Sequence, residues 1–307
     1  MDLKIHVKHI RRAATTALIS SAAVAATLLS TLVPAQAATT VLATPVPPPP
    51  NAVLAGTWVN TNHATRSVVD IVVSTSARGI AVDGFGACSP TPCEFGRIAG
   101  TVFGPNVSAT SGTAFAAQWN FTFARTVFLA TYSAPRKVPT LTVQEFTTFT
   151  DGSGRVSYTV TETFTKGKAV RVTKNGVSAS NYPLGAPAGP ATTLPAIWIN
   201  TAATGNVRAV ILSLGPGSGL LQVHAYGFCS PVPCNWGTVT GITFGPSIVA
   251  TSGGVFLAPY HFSFANKVLD GRVNAAGTLL TVQTWTEFTD HSNRSNYVTT
   301  ESFVPLR

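Results

Sequence analysis

Four cysteines are the first residues whose spacing carries chemistry. They form two C-x-x-x-x-C loops, Cys88 with Cys93 and Cys229 with Cys234, each enclosing two prolines. In an oxidising compartment this spacing predicts two local disulfides. The alternative is a single Cys₄ zinc site, which requires loops of two domains to meet. A redox-active dithiol usually has tighter C-x-x-C spacing.

Glu162 and Glu301 come next. Each lies in phase with aromatics, Tyr158 and Phe164 or Tyr297 and Phe303, so alternation places the carboxylate on their face. An unpaired buried charge is costly. If that face is the core, Arg66, Arg155, Arg208 and Arg294 are the cations expected to form structural ion pairs with them; a solvated outer face is the alternative. No Ser–His–Asp set or paired-acid spacing recurs. His224 aligns with Asp83, and His63 and His291 have no counterparts in the other half. The chain reads as a non-enzymatic protein without cofactor or metal, a glycan hydrolase using Glu162 and Glu301 being the catalytic alternative.

A binding surface is expected in the second half. Alternation puts Gln283, Trp285 and Glu287 on one face of a strand, and His224 and Tyr226 on the polar face of another. An indole flanked by amide and carboxylate groups suits a sugar ring, with C–H faces on the ring and hydroxyls on the polar neighbours. The competing reading is that Trp285 packs against the other half or covers a barrel end.

The elements that position these residues follow from a duplication. Gly56-Thr57-Trp58-Val59-Asn60 returns as Ala196-Ile197-Trp198-Ile199-Asn200, and Phe103-Gly104-Pro105 returns as Phe244-Gly245-Pro246. Phe149-Thr150-Asp151 with Arg155 and Tyr158 matches Phe288-Thr289-Asp290 with Arg294 and Tyr297. The offset is too large for solenoid units, so the copies are whole domains, residues 52–166 and 194–307, joined by a linker over 167–193. Phe115, Ala117, Trp119, Phe121 and Phe123 alternate with Ala116, Gln118, Asn120, Thr122 and Ala124, the period of a half-buried strand. Eight such strands per copy with short turns predict an all-β chain of two tandem eight-stranded meander barrels, a β-sandwich being the alternative.

The motifs W-x-N, G-x-C-x-P-x-x-C-x-W-G and F-T-D-x-S-x-R resemble a family of secreted bacterial repeat proteins of uncharacterised function. The first copy departs from it with Phe95 where the second has Trp236. More loosely, Gly56-Thr57-Trp58-Val59-Asn60 and Thr161-Glu162-Thr163-Phe164 resemble the end strands of avidin-like and lipocalin-like barrels, which supports the fold and implies no biotin site.

Composition and the N-terminus set the destination. Lys4, Lys8, Arg11 and Arg12 precede an uncharged run, residues 13–33, and Pro34-Ala35-Gln36-Ala37 ends it, the pattern of a signal peptide over 1–37. An uncleaved anchor is the alternative; after cleavage no membrane span is expected. A proline-rich tether over 38–51 follows, with four consecutive prolines at 47–50. Cleavage removes four basic residues and Asp2 from the 20 basic and 11 acidic, leaving 16 and 10. The excess is local, so nucleic acid is not an expected partner. The 307-residue chain is 45% hydrophobic and 10% charged, enough for large cores. These features together predict a secreted or envelope-associated protein that binds a glycan or small amphipathic ligand, with a polysaccharide or cell-envelope component as partner. A structural repeat without a ligand is the alternative.

Overall fold

The computed structural model describes residues 51–76, 79–168, 176–182, 191–192 and 194–306. The expected leader, almost all of the tether and most of the linker lie outside the described residues.

The first copy contains β1 (Gly56–Asn60), β2 (Val68–Ser76), β3 (Gly79–Gly86), β4 (Cys93–Phe103), β5 (Ala114–Asn120), β6 (Ala124–Ser133), β7 (Thr140–Phe149) and β8 (Tyr158–Lys166). After the short β9 (Ala191–Thr192), the second copy runs through β10 (Ala196–Asn200), β11 (Val207–Leu214), β12 (Leu220–Gly227) and β13 (Cys234–Phe244). It continues with β14 (Ser252–Gly253), β15 (Val255–His261), β16 (Ala265–Val273), β17 (Leu280–Phe288) and β18 (Tyr297–Pro305). Each copy closes into an eight-stranded antiparallel barrel, β1 pairing with both β2 and β8 and β10 with both β11 and β18. Closure leaves no free sheet edge, which separates the barrel from the sandwich. β9 and β14 add a two-residue parallel ladder.

Period-two alternation builds the interiors. Phe115, Ala117 and Trp119 are buried, whereas Gln118 and Asn120 between and after them are exposed. One end of each barrel is plugged. Trp58 and Trp198 are buried there and donate their indole N–H to the carbonyls of Leu54 and Leu194, at 2.8 and 3.4 Å. The W-x-N asparagines lie two residues on and pin the next loop. Asn60 and Asn200 each donate to a backbone carbonyl of the following strand, Val68 and Val207, at 2.7 Å.

The opposite ends are mouths, ringed by the β1–β2, β3–β4, β5–β6 and β7–β8 connections and their counterparts. A bulge shapes each mouth. Register slips between Gly84 and Phe85 and between Ala225 and Tyr226, opposite Gly96 and Gly237, whose φ values of 88° and 81° suit glycine. The slip reverses the alternation of β4 and β13, so Phe95 and Trp236 turn inward.

The barrels meet through a third apolar cluster on their outer faces, including Phe103, Leu129 and Phe146 of the first copy and Phe244 and Trp285 of the second. Phe103 meets Trp285 edge-on, with centroids 5.1 Å apart, and Phe146 meets Phe244 at the same separation. Phe103 and Phe244 are repeat equivalents, as are Phe146 and Trp285, so the contact has approximate two-fold symmetry. Main-chain bonds repeat the symmetry: Gly104 bonds to Asn296 and Val298, and Gly245 to Ser157 and Thr159. A side chain on Gly104 or Gly245 would collide with Ala109 or Ala250, so the F-G-P turns need glycine.

Candidate functional site

A cavity of about 740 Å³, open to solvent, occupies the mouth of the first barrel. Its lining comes from both barrels and the linker. The β1–β2 loop contributes Thr65, Arg66 and Ser67, and the bulge contributes Phe95. β7 and β8 contribute Glu145, Tyr158, Val160 and Glu162. Further wall comes from the β3–β4 connection with Cys88 and Cys93, from Val177 and Tyr182 of the linker and from Pro246, Ser247 and Ile248 of the second barrel. The mouth is therefore composite: symmetry delivers the turn after β13 to the first mouth, and the turn after β4 to the second, where Ser295 donates to the carbonyls of Val107 and Ala109.

The described linker segment is held in place by Arg155. Its guanidinium donates to the carbonyls of Ala179 (3.1 Å) and Tyr182 (3.3 Å) while pairing with Asp151 at 2.9 Å. The Tyr182 ring packs on Phe123 and Phe149, with centroids 5.6 and 5.4 Å away.

Two carboxylates define the electrostatics. Glu145, 3% exposed, faces the barrel interior and accepts hydrogen bonds from Ser67, from Thr147 at 3.0 Å and from Tyr158 at 3.3 Å. Burial raises its pKa above the ordinary value, the nearby Glu162 adds to the rise, and the hydroxyl donors oppose it. The Tyr158 phenol is pushed well above its usual value, first by burial and then by the Glu145 charge. Glu162 accepts from Thr65 and from the Val68 N–H at 3.3 Å.

Three of the differences between the mouths change ring size or charge. Trp236 replaces Phe95, Lys267 replaces Thr126 and Thr284 replaces Glu145. The registers prove the match: Thr126 lies opposite Trp119 and Thr147, and Lys267 opposite Tyr260 and Thr286. Lys267, 8% exposed, places its ammonium 4.6 Å from the centroid of the Trp236 ring. Burial lowers its pKa to about 8, with Glu301 opposing the shift. Glu301 is held by the N–H groups of Asn206 and Val207 at 2.7 and 3.2 Å and by the Asn200 amide at 3.2 Å.

No family model and no curated protein matches this chain. The reading of the site rests on its geometry.

The structure corrects both expected side-chain groupings. Among the described residues the salt bridges are Arg155–Asp151, Arg272–Asp270 and Arg294–Asp290, so neither Glu162 nor Glu301 is ion-paired. Both sit at barrel mouths, where loop N–H groups, hydroxyls and an amide satisfy the carboxylates. Arg66 and Arg208 are exposed, Arg208 lying 5.7 Å from the Phe228 ring centroid.

The five-residue binding surface does not assemble. Trp285 is 2% exposed against Phe103, and Gln283 bonds to Gln144 across the barrel interface at 2.8 Å. The rings of His224 and Tyr226 pack against each other, tilted by 34° with centroids 4.7 Å apart, on β12, four strands round the barrel from β17 and so on the opposite wall. Glu287 is half-buried on β17. The outward phase read for Trp285 is correct, but that outer face is covered by the other barrel.

Both cysteine pairs are disulfides, with Cα atoms 5.5 and 5.4 Å apart, which excludes the shared zinc site. The first lines the cavity rim. Glu145, Ser67 and Tyr182 escaped the sequence reading because none belongs to a motif shared by the two copies. The signal for Glu145 was a carboxylate on the inward phase of β7, two residues after the core residue Val143.

Proposed function

We propose that the protein is an exported, non-enzymatic binding protein that takes a small amphipathic molecule into the mouth of its first barrel. The observation that carries this is the composite cavity, which combines aromatic walls with hydroxyls and carboxylates clustered on one side. Ligand pockets of roughly 300–1,000 Å³ commonly have this mix of apolar surface and a few placed polar groups. A cavity of this size suits a small molecule or the end of a glycan better than the length of a polymer. The disulfides fit an oxidising, extracellular setting. Among the described residues no helix is long and apolar enough to cross a membrane.

The test is a thermal-shift screen of the full chain against a library of small amphipathic molecules and oligosaccharides. Hits are repeated on Ala64→Trp, which adds bulk to an exposed rim position. Stabilising hits that vanish in this variant support the reading. Hits that persist place the site elsewhere, and an absence of hits overturns it.

A further inference from the structure

The two mouths are built on one plan, and the second already contains something the first lacks. Lys267 reaches from the interior of β16 to Trp236, and its ammonium lies over that ring, within electrostatic reach of Glu301. Among the described residues its ammonium forms no salt bridge. The counterparts of its two neighbours are Phe95 and Glu162, and both line the open cavity of the first barrel. At the base of that mouth Thr126 replaces the lysine, and its hydroxyl shares a hydrogen bond with Thr147 at 3.0 Å instead of reaching toward the ring. The first barrel thus keeps an aromatic ring and a carboxylate at the positions that flank an ammonium in the second, and both border its open cavity.

The first mouth also adds acceptors. Glu145 has no counterpart carboxylate in the second barrel, and it brings a second acid to the cavity beside Glu162. Neither carboxylate lies in a salt bridge among the described residues. The charged cation on the lining is Arg66, exposed at the rim. The donors to Glu145 on the cavity side, Ser67 and Tyr158, are hydroxyls, which can turn to accept a hydrogen bond from an incoming N–H. Three rings, Phe95, Tyr158 and Tyr182, supply faces for a cation and apolar surface for the body that carries it.

We infer that the ligand of the first mouth is a protonated amine on an apolar body, its ammonium seated between Glu162, Glu145 and the Phe95 ring in the place that Lys267 fills in the second barrel. This rests on the binding reading above and names its ligand class. An anionic ligand would meet two carboxylates, and a neutral one would leave them uncompensated.

Three probes that share a phenyl ring and differ in head group test the inference: phenethylamine, 2-phenylethanol and phenylacetate, titrated calorimetrically into the full chain at pH 7.5. The amine is expected to bind at least tenfold more tightly than the alcohol, and phenylacetate not to bind. Glu162→Gln, which keeps an oxygen for the Thr65 hydroxyl, should weaken the amine at least tenfold and leave the alcohol unchanged. Thr126→Lys should abolish amine binding by installing the resident ammonium of the second barrel, with melting curves confirming that both variants fold. Equal affinity for amine and alcohol, or tighter binding of phenylacetate, overturns the amine assignment while the cavity remains a binding site. Library hits lost in Ala64→Trp, combined with no binding of any phenyl probe, overturn the amine assignment alone; no hits of any kind overturn both readings.

Discussion

Gln144 donates its side-chain amide to Gln283 at 2.8 Å, and the two residues hold the same position in their respective barrels. A bond between equivalent side chains marks a two-fold axis inside a single chain. The flanking contacts obey it: Phe103 with Trp285, Phe146 with Phe244, and each F-G-P turn with the last strand of the other barrel. This is the pattern of an isologous dimer interface, in which one patch meets its own copy.

The first prediction concerns the halves. Residues 52–166 contain all eight strands and should fold alone, but Phe103, Leu129 and Phe146 then face water. We expect this half to associate with itself in sedimentation experiments, with a dimer fraction that rises with concentration. A strictly monomeric half that melts at the temperature of the full chain would show that the interface contributes little.

Trp285→Ala should destabilise the full chain by about 3–5 kcal/mol, the usual cost of removing a buried large aromatic. Its indole is 2% exposed. Chemical denaturation reads the effect directly, and a loss below about 1 kcal/mol would mean that the barrels separate readily in solution.

Lys267 should make stability depend on pH in a defined direction. Its folded pKa, about 8 against the ordinary 10.5, means that the folded state resists protonation. Stability from the neutral amine is therefore present above pH 10.5, is lost as pH falls to about 8, and changes no further below. The full cost near pH 7 is about 3 kcal/mol. Lys267→Met should raise the melting temperature at pH 7, and the gap should narrow as pH rises from about 8 and close above about pH 10.5. A variant that melts lower at pH 7 would show that Trp236 and Glu301 more than offset the burial.

Both disulfides should protect all four cysteines from alkylation until a reductant is added, as read from intact mass. They should not open together. Cys93 is 2% exposed beneath the cavity rim, whereas Cys229 and Cys234 are both exposed. Partial reduction followed by peptide mapping should label the second pair first, and loss of each six-residue loop costs about 2 kcal/mol on the chain-entropy account. Preferential opening of the first pair would contradict this ranking.

The strands were legible because alternation and short turns recur twice. The barrel interface was less legible, although β6 signalled it: Val127-Phe128-Leu129-Ala130 is apolar on both phases, and a strand apolar on both faces is covered on both. The bulge had a sign in Gly96 and Gly237, each following the inward aromatic. The site was hidden for a different reason. Searching for residues shared by the two copies finds Trp58, Asn60 and Glu162, which mostly build the scaffold. It passes over Glu145 and Lys267, which occur once each.

A dimer assembled from two identical chains must present the same side chains at both of its mouths. Joining the copies in one polypeptide removes that constraint while the backbone keeps its symmetry. Phe95 against Trp236, Thr126 against Lys267 and Glu145 against Thr284 are differences that only a tandem chain can hold in fixed one-to-one proportion. The molecule is thus a heterodimer in chemistry and a homodimer in architecture, with Lys267 seated at one mouth and its counterpart Thr126 in the other barrel. Under the function proposed above, the expected stoichiometry is a single ligand per polypeptide, and multivalent attachment then comes from many chains displayed together and not from the duplication itself.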